Sequence, residues 1–142
     1  MLKIINYKDN KLFFIQNLQV FLQKNLKMLS SFRYYNNRQF DVLENHIYSA
    51  LYFDDEICIG YGHLDAENKK VWLGIIVSEE KQKIGVGQYI MDDLLFKFDG
   101  DIYLTVDLTN ERAIKLYKKK GFSILEENNK HILMIRKKWD IL

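Results

Sequence analysis

Seven consecutive apolar residues, Val71-Trp72-Leu73-Gly74-Ile75-Ile76-Val77, constrain this chain more than any other feature. A strand with no polar face has none to give to water, so this run reads as the central strand of a sheet covered on both sides. Its flanks supply the neighbours. Ile47–Phe53 and Glu56–Leu64 are β-prone runs joined by the turn Asp54-Asp55, and the polar turn Asp65–Lys70 leads into the apolar run. Connections that short make the three strands antiparallel. Downstream, Val86, Tyr89 or Ile90, Leu94 and Phe96 or Phe98 recur at helical spacing, with Gly100 as a stop, before a strand at Ile102–Val106. A crossover that contains a helix makes that strand parallel to the central one.

Asn110–Lys120 reads as a second helix closed by Gly121, followed by a hairpin of Phe122–Leu125 and Ile132–Arg136 around Asn128-Asn129. At the other end, Leu2–Tyr7 is a short strand and Asp9 or Asn10 caps a helix whose apolar face is Phe14, Leu18, Phe21 or Leu22, and Leu26. Ser30–Asn45 reads as irregular or a short helix. The expectation is an α+β chain: a central mixed, mostly antiparallel sheet of six to seven strands with flanking helices, in a single domain over residues 1–142.

The charge balance excludes a broad nucleic-acid footprint, because 21 basic and 19 acidic side chains leave a net charge of +2. That small value hides a split. Residues 1–110 carry 12 basic and 15 acidic groups (net −3), and residues 111–142 carry 9 and 4 (net +5). The single cysteine, Cys58, permits no intrachain disulfide and fits a reducing compartment. Met1-Leu2-Lys3-Ile4-Ile5 lacks the long apolar core of a signal peptide, and no run approaches a membrane span. A cytoplasmic protein with no membrane partner is the expectation. No Cys/His cluster has metal-ligand spacing. Proline is absent, so turns fall to Gly, Asn, Asp and Ser.

Chemistry concentrates after the central strand, in Val77-Ser78-Glu79-Glu80-Lys81-Gln82-Lys83-Ile84-Gly85-Val86-Gly87-Gln88. A buried strand ends and two glycines open a helix, whose free N–H groups point at negative oxygens, with Lys81 and Lys83 beside them. A pyrophosphate suits such a loop. No G-x-x-x-x-G-K-[ST] exists in the chain, which excludes the ATP-type loop. The dinucleotide fingerprint is partly met by Gly85-x-Gly87 and by Asp107 twenty residues on, but Ile90 stands where its third glycine belongs and the strand meander is foreign to that fold.

A third reading rests on resemblance. Gln82-x-x-Gly85-x-Gly87 resembles the Q/R-x-x-G-x-G/A pyrophosphate loop of the GNAT superfamily of acyl-CoA N-acyltransferases. Asn110-Glu111-Arg112-Ala113-Ile114-Lys115-Leu116-Tyr117-Lys118-Lys119-Lys120-Gly121-Phe122 resembles that family's N-x-x-A-x-x-x-Y-x-x-x-G-F helix at each key position. The likeness covers residues 46–137 by motif and the first 45 by element order. Lys83 stands where many relatives have glycine, and Ser78-Glu79 where they have proline.

The resemblance implies a GNAT-like fold and an N-acetyltransferase that moves the acetyl group of acetyl-CoA to a primary amine by direct attack in a ternary complex, without a metal. It implies that backbone N–H groups of Ile75, Ile76 and Val77 bind the acyl carbonyl and that Gln82, Lys83, Ile84, Gly85, Val86, Gly87 and Gln88 surround the pyrophosphate. It also implies that Asn110 meets the pantetheine arm and that Tyr117 is the general acid. Lys118, Lys119 and Lys120 either attract the 3′-phosphate or form a solvated helix end.

Candidates for the general base are His63, with Asp65 at a spacing of two on its strand, and Glu79 with Glu80. His46 is a weaker candidate, and His131 is expected far from the site. The acceptor is expected against Phe32, Arg33, Tyr34, Tyr35, Arg38 and Tyr61. Aromatics stack on sugar faces and Arg clamps anions, so an amino sugar or nucleotide-linked amino sugar comes first, with a protein N-terminus or lysine as the alternative. A non-catalytic acyl-CoA-binding or partner-binding module is the competing class. An edge strand near the C-terminus would allow a homodimer.

Overall fold

A computed structural model describes residues 2–81 and 85–138. Ten elements follow in order: β1 (Lys3–Asn6), α1 (Lys11–Lys24), β2 (His46–Asp54), β3 (Ile57–Glu67), β4 (Lys70–Val77), α2 (Val86–Phe96), β5 (Ile102–Asp107), α3 (Glu111–Lys119), β6 (Ser123–Glu127) and β7 (His131–Arg136). The strands form one sheet in the order β1-β2-β3-β4-β5-β7-β6, and only β4 and β5 are parallel. The apolar run is thus the middle strand. This is the mixed, mostly antiparallel α+β architecture the pattern of runs implies, and no described helix is long and apolar enough to cross a membrane.

Two cores flank the sheet. On one face α1 lays Phe14, Leu18, Phe21 and Leu22 against Leu51, Phe53, Tyr61 and Ile76. On the other, Val86, Ile90, Met91 and Leu94 of α2 and Tyr117 of α3 pack on Ala50, Tyr52, Leu64, Leu73, Val77 and Leu104. Alternation along each strand decides which residue faces which core.

Local details depart from the expectations in three places, while Ser30–Asn45 keeps the irregular to short-helical character expected of it. Leu26 is exposed, because α1 ends at Lys24 and a 3-10 turn takes over at Leu26–Ser30. Ser30–Asn45 contains two short 3-10 turns, Tyr34–Asn36 and Phe40–Asn45. The β3–β4 turn is only Asn68-Lys69, both with positive φ, so Asp65 lies within strand β3 and not in the turn. Gly100 is not the stop of α2, which ends at Phe96 with Lys97 as its cap.

The α3 segment follows its sequence signals closely. Asn110 Oδ1 accepts from the Ala113 N–H at 3.3 Å. At the other end Gly121 adopts φ +100°, its N–H donates to Lys118 O, and the Phe122 N–H donates to Tyr117 O. That pattern is a Schellman closure, and it turns Phe122 back into the core beside Tyr117, ring centroids 6.0 Å apart.

Candidate active site

Strands β4 and β5 pair over two positions only, Val71 with Ile102 and Trp72 with Tyr103. Beyond them the strands part, and the β4 edge from Leu73 to Val77 has no strand partner on the β5 side. A cavity of about 730 Å³ occupies the gap, a size suited to a small-molecule site. It is lined from both faces of the sheet: Gly87, Asn110, Leu116 and Tyr117 on the α2/α3 side, and Phe32, Arg33, Tyr34, Arg38, His63 and Asp65 on the α1 side. Ile75, Ile76 and Val77 run along the gap between them.

On the α2/α3 side, Gly85 caps α2 in the left-handed region at φ +84°, which accounts for glycine there. Gly87 lines the cavity, and a Cβ there would make ordinary contacts with Leu116 at 3.5 Å and Val77 at 3.8 Å. Val86 points into the core, and the Gln88 side chain accepts from Lys119 at 3.3 Å. Gln82, Lys83 and Ile84 lie outside the described residues. Asn110 contributes a cap and a wall of the cavity. Tyr117 is buried, has no hydrogen-bond partner among the described residues, and reaches the cavity; burial pushes its phenol up to about 12, so it stays protonated at neutral pH. Of the three lysines that follow, Lys120 pairs with Asp92 of α2 at 2.7 Å.

The α1 side holds a polar network built from separate segments. The Tyr34 phenol donates to Asp65 Oδ2 at 2.8 Å and meets His46 Nε2 at 2.7 Å. His46 Nδ1 meets the Ser49 hydroxyl at 2.6 Å. The Tyr61 phenol meets His63 Nδ1 at 2.8 Å and the Tyr35 phenol at 2.5 Å. Every residue of this group except Tyr34 and Tyr35 is buried. Burial keeps both imidazoles neutral: His46 is lowered to about 4, and His63 falls well below the ordinary histidine range, with His46 and Arg38 adding to the effect. His63 Nε2 has no hydrogen-bond partner among the described residues and faces the cavity over Gly74, its cross-strand neighbour. A Cβ on Gly74 would fall 2.7 Å from His63 Cε1 and nearer still to Nε2, so glycine is what lets the ring lie flat across β4.

The α1-side mouth is spanned by Arg33, which donates to Asp107 Oδ1 at 2.8 Å and stands 3.0 Å from His131 Nε2. His131, expected far from the site, therefore sits at its rim, because β7 pairs with β5 and places it opposite Asp107. Arg38 stacks over the Tyr34 ring, 4.2 Å from its centroid, and pairs with Glu67 at 3.6 Å. Tyr61 lies beneath His63 and does not line the cavity. Glu79 stands outside it, largely exposed, with Lys27 at 4.0 Å.

Sequence reasoning missed Ser49, Gly74 and the closing role of Asp107. The position of His46 has a geometric cause. Strict alternation puts it on the face of Tyr48, but a register shift between His46 and Tyr48 returns it to the face of Ser49. Nothing in a single sequence marks such a bulge.

The acetyltransferase (GNAT) family model matches residues 14–122. The chain belongs to that family. No curated protein matches it. Among solved structures, a spermidine N-acetyltransferase of Vibrio cholerae, bound to CoA and spermine, has a TM-score of 0.71 at 21% identity over 98% of this chain and 96% of its own. Arabidopsis thaliana Naa50, bound to the bisubstrate analogue CoA-Ac-MVNAL, gives 0.69 at 19% identity over 96% and 98%. A GNAT acetyltransferase of Elizabethkingia anophelis with acetyl-CoA bound gives 0.59 at 20% over 68% and 79%. Other acetyltransferase structures align over 64% and 67% of their own length. At these identities the likeness is one of fold. Among the described residues no group of His, Cys, Asp and Glu side chains could hold a metal ion.

Proposed function

We propose that this GNAT domain is an N-acetyltransferase that transfers the acetyl group of acetyl-CoA to a primary amine of a small molecule by direct attack in a ternary complex. The observation that carries this is the gap between β4 and β5: one cavity reaches Tyr117 from one face of the sheet and a neutral His63 nitrogen from the other. Gly85, Val86, Gly87 and Gln88 at the head of α2, together with Gln82, Lys83 and Ile84, would hold the pyrophosphate on backbone N–H groups. The narrow slot along Leu73–Val77 suits the pantetheine arm, with Asn110 at its side.

The reaction forms a C–N bond and breaks a C–S bond. The amine nitrogen attacks the thioester carbonyl, and a backbone N–H group along Ile75, Ile76 and Val77 meets the oxygen as it becomes negative. Attack makes the N–H acidic, so even a weakly basic imidazole can take its proton at His63 Nε2. The amine must arrive unprotonated, and Asp65, in the cavity lining, offers an acceptor oxygen to its N–H groups. On the opposite face, the protonated Tyr117 phenol supplies a hydrogen bond to the departing sulfur and then its proton. With the phenol near 12 and a free thiol about 8.5, full transfer is uphill unless the same dry surroundings raise the thiol too. Collapse then yields the amide and free CoA.

The acceptor reading rests on the walls. Phe32 and Tyr34 offer ring faces suited to an amino sugar or a nucleotide-linked amino sugar. Arg33 and Arg38 are already engaged by Asp107 and Glu67, so an anionic group on the acceptor would compete with those pairs. The Arg33–Asp107 bridge across the mouth favours a small amine over a folded protein. A thiol-release screen with acetyl-CoA over amino sugars, polyamines, amino acids and peptides tests the proposal. Amine-dependent release supports it. Tight binding of CoA with no release on any amine would instead identify a non-catalytic acyl-CoA-binding module.

A further inference from the structure

Strand β4 ends in a short 3-10 turn, Glu79–Lys81, from which the chain runs to the head of α2. The chain has no proline, so each residue of that turn keeps an N–H that needs an acceptor. The Ser78 N–H donates to Ile59 O of β3 at 2.8 Å, and the Lys81 N–H closes the turn on Ser78 O at 3.0 Å. The Glu79 N–H lies between them at the first position of the turn, where the turn itself supplies no backbone acceptor. Its partner is Asn25 Oδ1, 3.2 Å away and 54 residues back along the chain.

Asn25 ends α1 and is buried. Its N–H donates to Leu22 O at 3.2 Å, and its carbonyl accepts from the Met28 N–H at 2.9 Å. Its Nδ2 donates to Phe21 O at 2.8 Å. These partners settle which way the carboxamide faces. Phe21 O can only accept and the Glu79 N–H can only donate, so the nitrogen lies toward the helix and the oxygen toward the turn. One half of the side chain finishes its own helix, and the other half reaches across to the end of β4. The side-chain pairs of the turn, Lys27 with Glu79 at 4.0 Å and Lys81 with Asp54 at 3.8 Å, are long and open to solvent, and such pairs hold a backbone weakly.

We infer that Asn25 is a positioning residue for the coenzyme: its carboxamide pins the turn from which the chain enters the head of α2, so that this part of the pyrophosphate site is arranged before the ligand arrives. The inference rests on the reading of the β4–α2 connection as that site. Asn25 lies outside the cavity lining and touches no reacting atom. It acts through the Glu79 N–H, which makes position 79 matter by its backbone and not by its carboxylate. With the tie cut, only the fraction of molecules that hold the turn correctly can bind tightly, and the apparent Kd rises accordingly.

Two substitutions remove the tie from opposite ends. Asn25→Ala deletes the acceptor. Glu79→Pro deletes the donor, and the first position of a helical turn suits the fixed φ of the ring, which stiffens the turn without an N–H to satisfy. A double-mutant cycle therefore separates the tie from anything Asn25 does for α1. The readout is calorimetry of the full chain with CoA. Asn25→Ala weakens CoA binding by about threefold to tenfold, the scale of one hydrogen bond. In the Glu79→Pro background the same substitution changes the Kd by less than about twofold. Turnover of Asn25→Ala at saturating acetyl-CoA stays within about twofold of the parent, because the loss is one of binding alone.

A Kd that rises by less than about threefold in Asn25→Ala overturns the inference. Weakening as large in the Glu79→Pro background as in the parent also overturns it, since the effect would then belong to α1. Amide hydrogen exchange of the ligand-free chain gives a readout that needs no proline variant. In Asn25→Ala, exchange speeds up at the Glu79 amide and stays as in the parent at the Ser78 amide, which keeps its bond to Ile59. Unchanged exchange at Glu79, or equal acceleration at both amides, overturns the inference. A parent chain that binds no CoA fails the acetyltransferase reading and takes this inference with it, whereas a failed comparison between parent and variants leaves that reading standing.

Discussion

The two faces of the sheet solve different problems with different materials. The α2/α3 face is aliphatic and local: a glycine-capped helix, a tight Schellman closure, and Tyr117 alone among apolar neighbours. Its working parts are backbone groups at element ends and one phenol, all within two short segments of chain. The α1 face is aromatic and polar: Tyr34 and Tyr35 from a 3-10 turn, His46 and Ser49 from β2, Tyr61, His63 and Asp65 from β3. Its groups come from three separate elements and mean something only together. One face can bind a ligand through the shape of its backbone, and the other can move a proton through the order of its side chains. The parting of β4 from β5 is what lets both reach the same cavity.

That division of labour is open to attack by mutation. The largest effect should come from His63→Gln, which removes the proposed proton acceptor. The turnover number falls by about a hundredfold or more, the usual scale for loss of a general base, and calorimetry shows CoA affinity unchanged. An undiminished rate would move the proton acceptor off the α1 face altogether. Next is Tyr117→Phe on the opposite face. It deletes only the hydroxyl, and turnover should drop by about tenfold to a hundredfold with coenzyme affinity again preserved. If the two variants lowered affinity and not turnover, both faces would be binding surfaces and the contrast between them would dissolve.

Gly74→Ala probes the seam between the faces. The added methyl collides with the His63 ring, which must tilt away, costing about 1–3 kcal/mol of stability. Chemical denaturation measures that loss, and a rate loss beyond it reports the displaced imidazole. A fully stable, fully active variant would mean that the ring does not lie over β4.

The pH dependence of stability separates the faces again. Both histidines titrate lower in the fold than in the unfolded chain, where the value is about 6.5. The unfolded chain therefore takes up protons first as pH falls. Stability is full above about 6.5 and is lost below it at about 1.4 kcal/mol per pH unit for each histidine, for His46 until about pH 4. Denaturation midpoints between pH 4 and 8 should show this slope in the parent chain and a shallower one in His63→Gln. Equal slopes would remove the buried, neutral histidine from the account. The smallest effect belongs to Glu79→Gln, since that carboxylate stands outside the cavity near Lys27. Steady-state turnover should change by less than about twofold, and a large loss would restore it as a base.

The same contrast explains what could be read from the sequence. The apolar run announced the middle strand, and the spacing of Asn110, Ala113, Tyr117, Gly121 and Phe122 announced a capped helix with its closure, because those signals are local and each has one physical reading. The parallel β4–β5 pair followed from the length of the crossover. The α1 face was legible only in part. His63 and Asp65 share a strand face at a spacing of two, which is visible. The bulge that brings His46 to Ser49, the glycine opposite His63, and the register that sets His131 beside Asp107 are consequences of pairing between distant segments. No window along the chain contains them. Leu26 and Gly100 failed in the other direction: each has the residue type of a helix face or a helix stop, but α1 and α2 had already ended.

The central claim is that one reactive cavity joins the two faces through the gap between β4 and β5. Amide and imidazole NMR of the labelled chain during titration with acetyl-CoA tests it most directly. The account predicts that a single binding event shifts the amides of Gly85–Gln88, those of Leu73–Val77 along the open β4 edge, and the ring nitrogens of His63 together. Shifts confined to the head of α2 and to α3, with His63 untouched at saturation, would contradict it.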